Sequence, residues 1–217
     1  MSDFPEELMQ GYHQFRSGNF LTEQKRYEAL AEKGQKPSVM VIACCDSRSA
    51  PETVFNASPG EMFVVRNVAN LVPPYGPDDG FHSTSAGLEF AVQALKVKDI
   101  IVMGHKLCGG VSAALNPNME PLSADNFIGK WIELLKPTAQ NVAKNDLMTA
   151  SERQTALEHV SIRRSIENLR TYPFISILEE RKELSLHGAW FDISRGELWT
   201  MSADSGDFTR APLAVDG

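Results

Sequence analysis

The sequence predicts an α/β protein: a central, mostly parallel sheet of four strands plus an antiparallel edge strand, flanked by helices, with projecting N-terminal helices. The first observation is that short apolar runs alternate with helical patterns between residues 39 and 116. Such alternation is typical of a parallel sheet with right-handed crossovers. The second observation is a pair of β-rich runs, residues 186–192 and 197–201, around Ser194-Arg195-Gly196. This pattern indicates a hairpin, one strand of which joins the sheet edge.

Three buried strands are predicted from short apolar runs that end at polar segments. These runs are Val39–Ala43, Met62–Arg66 and Asp99–Gly104. A loop is expected over residues 72–81, because this segment is rich in proline and glycine.

Three helices are expected, one after each of these strands, and two have a start signal: a proline tolerated in the first turn and a serine that can cap the helix. They start at Pro51, at Ser83 as the cap of a helix that reaches Leu95, and at Gly109 before a helix that ends near Asn116. Further apolar stripes predict helices over residues 127–135, 162–169 and 174–181.

The 217 residues are expected to form one domain, large enough to bury about 70% of the unfolded surface. Residues 1–34 are predicted to be a helical arm of two helices that Gly18-Asn19 separates, and residues 35–217 to be the sheet core with the C-terminal helices. The arm has no obvious sheet of its own to cover. It is expected to pack outside the core against a second subunit, or to lie on its own sheet as an exposed amphipathic hairpin.

Charge and cysteine content argue against several classes of protein. The chain has 21 Lys plus Arg and 28 Asp plus Glu, a formal net charge of −7, so no nucleic-acid partner is expected. No apolar run is long enough to span a membrane, and the acidic N-terminus lacks a signal-peptide core, so a cytoplasmic location is expected. Three cysteines, two of them adjacent, favour metal or catalytic use over a disulfide framework.

Soft metal ligands follow two of the predicted strands. Cys44 ends the first strand, and His105 and Cys108 follow the third. Because sites in open parallel sheets form outside the carboxyl ends of the strands, these side chains are expected to meet and bind one Zn²⁺. Structural zinc usually has four protein ligands, whereas catalytic zinc has three and a water. Three soft ligands therefore favour a catalytic site.

A carboxylate and a guanidinium lie beside the first ligand. Asp46 is placed to accept a hydrogen bond from the hydroxide that zinc generates at neutral pH. Arg48 is expected to keep Asp46 ionised and aimed through its fixed fork of donors. If Arg48 released it, Asp46 would become a fourth zinc ligand, which gives an open and a closed form in principle.

Five motifs together resemble the β-class carbonic anhydrases. They are CxDSR from Cys44, Pro51-Glu52, PGE from Pro59, RNxAN from Arg66 and GHxxCGG from Gly104, with a weaker similarity in HGAWFDISRGEL from His187. The resemblance implies reversible hydration of carbon dioxide to bicarbonate and a proton by zinc-bound hydroxide. It implies Cys44, His105 and Cys108 as ligands of one Zn²⁺ per subunit, with Asp46 and Arg48 as the dyad. It also implies homodimers, or tetramers and octamers of dimers, whose arms cross to the partner.

Other positions resemble the plant-type subclass of that family. Gln35 matches a glutamine that hydrogen-bonds substrate oxygen, in some cases across the subunit interface. Phe63 and Val68 match the apolar substrate pocket, and Phe90 stands where tyrosine is frequent. Gly109 either allows tight packing at a helix start or aims a backbone N–H at substrate or at a ligand sulfur. Val41 replaces the tryptophan of the subtype with a regulatory bicarbonate site, which implies an enzyme that stays open near neutral pH.

Several alternatives remain at this point. The same scaffold is compatible with hydrolysis of carbonyl sulfide or carbon disulfide, or with a non-catalytic module that zinc stabilises. A thiol-disulfide protein is disfavoured because Cys44-Cys45 is not a CxxC pair. Cys45 is expected to pack in the core. The four remaining histidines are interpreted as surface or cap residues, not proton shuttles: His13, His82, His159 and His187.

Overall fold

The computed structural model describes residues 4–78, 80–116, 120–123 and 125–212. Within these residues the chain forms a six-stranded sheet in the order β2-β1-β3-β4-β5-β6. The strands are β1 (Val39–Cys44), β2 (Met62–Asn67), β3 (Asp99–His105), β4 (Ser185–Asp192), β5 (Glu197–Met201) and β6 (Phe208–Arg210). Strands β1 to β4 pair in parallel, and β5 and β6 are antiparallel. The predicted fold class is confirmed, with β6 as an addition that the sequence pattern did not predict.

Helices surround the sheet, and their order follows the predicted alternation. They are α1 (Glu6–Ser17), α2 (Asn19–Lys33), α3 (Pro51–Val54), α4 (Ser83–Glu89), α5 (Gly109–Leu115), α6 (Phe127–Ile132), α7 (Lys136–Ala143), α8 (Ala150–Leu169) and α9 (Pro173–Glu180). A π-helical turn, Phe90–Leu95, extends α4, and 3₁₀ turns cover Val68–Asn70 and Glu133–Leu135. Helix α7 was not predicted from the sequence.

Helix starts and ends match local sequence signals at most of the predicted positions. Gly18 separates α1 from α2 in a non-helical conformation, as predicted. Thr149 and Glu152 form a reciprocal capping box that starts α8. The prediction that Ser83 caps α4 is wrong, because Ser83 is already in the first turn and no side chain caps this helix.

The central strands are covered on both faces. Met40, Val41, Ile42 and Ala43 of β1 are fully buried. Alternate residues enter two different apolar clusters, because successive side chains point to opposite faces. Helix α8 packs against β3 and β4. By contrast, neither α1 nor α2 has a buried residue, so this arm lies outside the core.

Parallel register brings the carboxyl ends of three strands to one edge. Cys44 of β1 pairs with Asn67 of β2, and Ala43 pairs with Met103 of β3. The segments that follow these strands therefore leave the sheet side by side. Among the described residues, no helix has the length and apolar character that crossing a bilayer requires. The single-domain organisation and the cytoplasmic location stay predictions.

His159 of α8 lies between aromatic rings. Its ring stacks on Phe208 at 4.2 Å between centroids and meets Trp190 edge-on at 5.1 Å. Burial, with the charge of Arg163, lowers the pKa of His159 from 6.5 to about 4. The unfolded chain therefore binds a proton that the folded chain excludes, which means that stability is lost as pH falls from 6.5 towards 4.

We expect His159→Phe to remove this pH dependence while it keeps the aromatic stack. The shift corresponds to roughly 3 kcal/mol at most, and the partial exposure of the ring reduces the expected effect to roughly 1–2 kcal/mol. Urea unfolding of both proteins at pH 7.5 and pH 4.5 measures it, because all other titrating groups are common to both. Equal losses of stability on acidification would contradict this prediction.

Candidate metal centre

Three potential metal ligands converge at the carboxyl edge of the sheet. The ligand atoms of Cys44, His105 and Cys108 all lie within 4.8 Å of one another, and all three residues are buried. The two sulfur atoms are 3.8 Å apart. The structure therefore brings together the three residues that the sequence predicted as ligands.

Local backbone geometry produces this convergence. Cys44 and His105 are the last residues of β1 and β3. Leu107 has a left-handed conformation, with φ of 56°, which turns the chain back towards the cluster. Cys108 then precedes the first turn of α5, where backbone N–H groups of Gly110 and Val111 face its sulfur.

The hydrogen bonds of the cluster leave ligand atoms available for a cation. His105 Nδ1 lies 2.9 Å from the Lys106 carbonyl oxygen and donates to it, so Nε2 carries the lone pair. Nε2 is buried and has no hydrogen-bond partner among the described residues. Cys44 Sγ accepts the Ala69 N–H at 3.4 Å. An orphaned imidazole nitrogen beside two thiols fits a soft or borderline divalent metal.

The pKa shifts of the two thiols also favour a bound cation. The Cys108 thiol, as a hydrogen-bond donor, lowers the pKa of Cys44, and the Ala69 N–H adds to this effect. The pKa of Cys108 is raised by the neighbouring Cys44 thiolate and by burial. For His105, burial lowers the pKa, but the Cys44 thiolate, the Lys106 carbonyl and the Asp46 carboxylate together outweigh burial and the net change is a rise. Two thiolates at this separation thus need a cation to be stable together.

Asp46 and Arg48 form the predicted pair beside the cluster. Asp46 accepts three hydrogen bonds from Arg48: from the backbone N–H at 3.0 Å, from Nε at 2.9 Å and from Nη2 at 2.7 Å. These bonds hold the pKa of Asp46 well below its usual range. Asp46 Oδ2 lies 3.8 Å from His105 Nε2. Arg48 Nη2 also donates to the Leu107 carbonyl at 3.3 Å, which links the ends of β1 and β3.

The predicted substrate residues fall into two groups. Val68 and Gly109 lie beside the ligands: Val68 precedes the donor Ala69, and Gly109 follows Cys108. Phe63 instead pairs with Met40, four residues before Cys44, or roughly 13 Å along the strand.

Phe90 and Gln35 also lie away from the cluster of their own chain. The rings of Phe63 and Phe90 are in contact, with centroids 5.7 Å apart. Gln35 is exposed and precedes β1, at the end of the strand opposite to Cys44. Gln35, Phe63 and Phe90 therefore do not line the cluster of their own chain, and their roles in substrate binding stay predictions.

Cys45 corrects one expectation. It was predicted to pack in the core, but it is exposed. The physical reason is that β1 ends at Cys44, and the Cys45 N–H bonds the Asn67 carbonyl at 2.9 Å as the chain leaves the sheet. No element among the described residues covers the Cys45 side chain at this point.

Sequence reasoning missed the support beneath Cys108. Glu158 of α8 is 1% exposed, and its carboxylate accepts hydrogen bonds from the Cys108 N–H and the Trp190 indole N–H, both at 3.0 Å. Burial raises the pKa of Glu158, and its donors oppose this rise. The predicted stripe of Ile162, Ile166 and Leu169, extended back by one turn, reaches Glu158. A carboxylate at a core position was therefore a visible sign of a buried polar network.

The parallel sheet with a Cys-His-Cys cluster at its carboxyl edge defines an α/β protein with a candidate metal centre. The family model described as carbonic anhydrase matches residues 39–198. Beta carbonic anhydrase 3 of Arabidopsis thaliana is 36% identical over 217 residues, covering 97% of this chain and 80% of the relative. The chain belongs to the β-carbonic anhydrase family and is a carbonate dehydratase.

Solved structures agree with this assignment. The β-carbonic anhydrase CcaA superposes with a TM-score of 0.87 at 30% identity, covering 97% of this chain and 93% of the other. Tetrameric β-carbonic anhydrases from Sordaria macrospora give a TM-score of 0.80 at 29% identity, covering 94% and 97%.

Gly110→Ala is expected to disturb the metal centre, whereas Gly109→Ala is not. A Cβ at Gly110 would lie 2.6 Å from Val68 Cγ1 and 3.0 Å from Ala69 Cβ, so the segment that donates to Cys44 must shift. A Cβ at Gly109 meets nothing within 4 Å. We expect metal content and carbon dioxide hydration to fall about 10-fold or more in Gly110→Ala, as measured by elemental analysis and stopped-flow assay. Indistinguishable results for the two variants would contradict the packing argument.

Proposed function

We propose that the chain binds one Zn²⁺ through Cys44, His105 and Cys108 and catalyses the reversible hydration of carbon dioxide to bicarbonate and a proton. The observation that carries this proposal is the set of three buried ligand atoms within 4.8 Å of one another, next to the Asp46–Arg48 pair. Two thiolates and an imidazole suit zinc among the common metals. When bound, zinc supplies a water of lowered pKa as the nucleophile.

Ligand count favours a catalytic role for the metal. Structural zinc is usually closed by four protein ligands, whereas catalytic zinc has three. Among the residues that the structure describes, no fourth Cys, His, Asp or Glu joins this group. Asp46 stays outside it because its carboxylate is engaged by Arg48.

Asp46 and Arg48 are the residues that would orient the reacting water beside the three ligands. Asp46 is positioned to accept a hydrogen bond from the reacting water and so to fix its orientation towards carbon dioxide. Arg48 keeps this carboxylate ionised and prevents its rotation towards the metal ligands. Val68 and Leu107, which are 36% and 53% exposed, supply apolar surface near the ligands that suits an uncharged linear substrate.

The exposed apolar surface of the arm supports self-association. Leu8 and Tyr12 of α1 and Leu21 of α2 are 61%, 51% and 61% exposed, and Phe90 of the Phe63–Phe90 pair is 49% exposed. The Sordaria macrospora relatives are described as tetrameric. We infer a homodimer, or a tetramer or octamer of dimers, in which the arm packs on a partner and Gln35, Phe63 and Phe90 approach the partner's site.

The proposed activity is tested by the rate of pH decrease after mixing with dissolved carbon dioxide in a stopped-flow instrument. We expect rapid turnover for the wild type and background rates for Cys108→Ser, which removes one thiolate ligand. Asp46→Asn retains the ligands but loses the anionic acceptor, and its rate is expected to fall by about 10²–10⁴-fold.

Two outcomes would overturn the proposal. Background rates for the wild type, equal to those of Cys108→Ser, would remove support for catalysis and favour a non-catalytic module. Faster turnover of carbonyl sulfide or carbon disulfide than of carbon dioxide would assign the site to hydrolysis of those substrates.

Leu8→Glu/Tyr12→Glu is expected to lower the molecular mass of the assembly. These residues are one turn apart on α1, and charges there would oppose burial of the arm against a partner. Light scattering coupled to size-exclusion chromatography measures the mass. Leu147→Glu is the control, since Leu147 is 96% exposed and lies outside the arm. A monomeric wild type, or an unchanged mass in the double variant, would contradict the role of the arm.

A further inference from the structure

Both backbone polar groups of Cys108 are held by side chains one turn apart on α8. The Cys108 N–H donates to Glu158 Oε1 at 3.0 Å, and the Cys108 carbonyl accepts from Gln154 Nε2, also at 3.0 Å. Gln154 Nε2 also donates to Glu158 Oε1 at 2.8 Å, so the two side chains brace each other. We call Gln154 and Glu158 the α8 clamp.

The chemistry of the clamp requires a carboxylate at position 158. Three N–H donors converge on its two oxygens: Cys108 N and Gln154 Nε2 on Oε1, and Trp190 Nε1 on Oε2. A carboxylate accepts at both oxygens, whereas an amide offers one acceptor and one donor. A glutamine at position 158 would place its NH₂ group either against the Cys108 N–H and Gln154 Nε2 or against the Trp190 indole N–H. Either orientation leaves buried donors facing each other, which is costly.

The clamp also connects the metal loop to the rigid core. Glu158 and Trp190 are 1% and 5% exposed, and Trp190 belongs to β4, which pairs directly with β3. The loop from His105 to Cys108 includes Leu107 with its positive φ, so its own conformational preference does not favour the observed turn. The two hydrogen bonds to the Cys108 backbone supply a restraint from outside this loop, which helps to hold the Cys108 sulfur towards Cys44 and His105.

We propose that Gln154 and Glu158 are positioning residues that fix Cys108 as a metal ligand and thereby slow the release of the metal. They act through the Cys108 backbone and do not contact substrate. The inference rests on the proposed zinc site, because it concerns how tightly the chain retains that ion. Partners that orient metal ligands typically change metal affinity by about 10–100-fold when they are lost.

The test compares zinc release in variants of the full chain. Transfer of zinc to an excess of a chromophoric chelator gives the release rate, and the thiolate-to-metal absorption of the Co²⁺-substituted protein reports the ligand geometry. We expect Glu158→Gln to release zinc about 10–100-fold faster than the wild type and to shift the Co²⁺ absorption. Glu167→Gln is the matched control, since it makes the same change on α8 at an exposed residue that bonds Arg164.

A second-site change separates positioning from general destabilisation. In Glu158→Gln/Trp190→Phe the indole donor is absent, so the amide oxygen can face Cys108 without a donor clash at the other end. We expect the double variant to release zinc as slowly as the wild type. Because the loss of the indole does not stabilise the core, such a recovery would come from the restored position of Cys108. Fast release that persists in the folded double variant would overturn the proposal.

The remaining outcomes are also decisive. If Glu158→Gln does not fold, Gln154→Ala decides, because it removes only the bond to the Cys108 carbonyl and the brace to Glu158; we expect about 10-fold faster release. Wild-type release rates and Co²⁺ spectra in the folded variants would overturn the clamp while the zinc site stands. A wild type that retains no zinc would instead overturn the proposed function.

Discussion

Parallel pairing of β1 with both β2 and β3 is the constraint on which the metal centre depends. It places Cys44 at the level of Asn67, and the end of β3 beside it. Two residues after β2 the chain reaches Ala69, whose N–H bonds Cys44 Sγ, and β3 itself ends at His105. A shift of one residue in this register would turn every side chain to the opposite face. The packing of β1 resists that shift, because the larger Met40 and Ile42 fill one apolar cluster and the smaller Val41 and Ala43 fill the other. The packing of the core thus sets the positions of the ligands.

The same burial makes the centre dependent on a cation. His105 is 1% exposed, and its Nε2 has no hydrogen-bond partner within the described part of the chain. A buried polar atom without a hydrogen bond costs about 1–3 kcal/mol, and a second thiolate beside Cys44 is opposed by the first. A metal bound by these three residues would offset both costs at once, and its free energy of binding would also stabilise the fold. The surrounding hydrogen bonds orient the candidate ligands: His105 Nδ1 donates to the Lys106 carbonyl, the Cys108 N–H donates to Glu158, and the Ala69 N–H donates to Cys44 Sγ.

Residues that act through side-chain chemistry were predictable from the sequence, and residues that act through geometry were not. Cys44, His105 and Cys108 were found because soft ligands after buried strands can meet at only one edge of a parallel sheet. Cys45 was wrongly predicted to be buried. The alternation of side chains between the two faces of a sheet applies only within a strand, and β1 ends one residue before Cys45. The three residues of β6 are too few to show a period. Glu158 lies 50 residues from Cys108, and only the α8–β3 packing brings them together. A single chain likewise does not determine which copy Gln35 and Phe90 serve.

The Asp46–Arg48 pair is better explained by function than by stability. Arg48 is 51% exposed, and exposed ion pairs contribute only about 0–1 kcal/mol to folding. Leu107 meanwhile adopts a left-handed conformation with φ of 56°, which for a non-glycine residue costs about 1–2 kcal/mol. This conformation lets the Leu107 carbonyl accept from Arg48 Nη2, the same atom that bonds Asp46 Oδ2. The conformational cost at Leu107 is therefore comparable to, or larger than, the contribution of the Asp46–Arg48 pair to folding stability. What the arrangement gains is a carboxylate fixed 3.8 Å from the free nitrogen of His105 and restrained from turning further towards it.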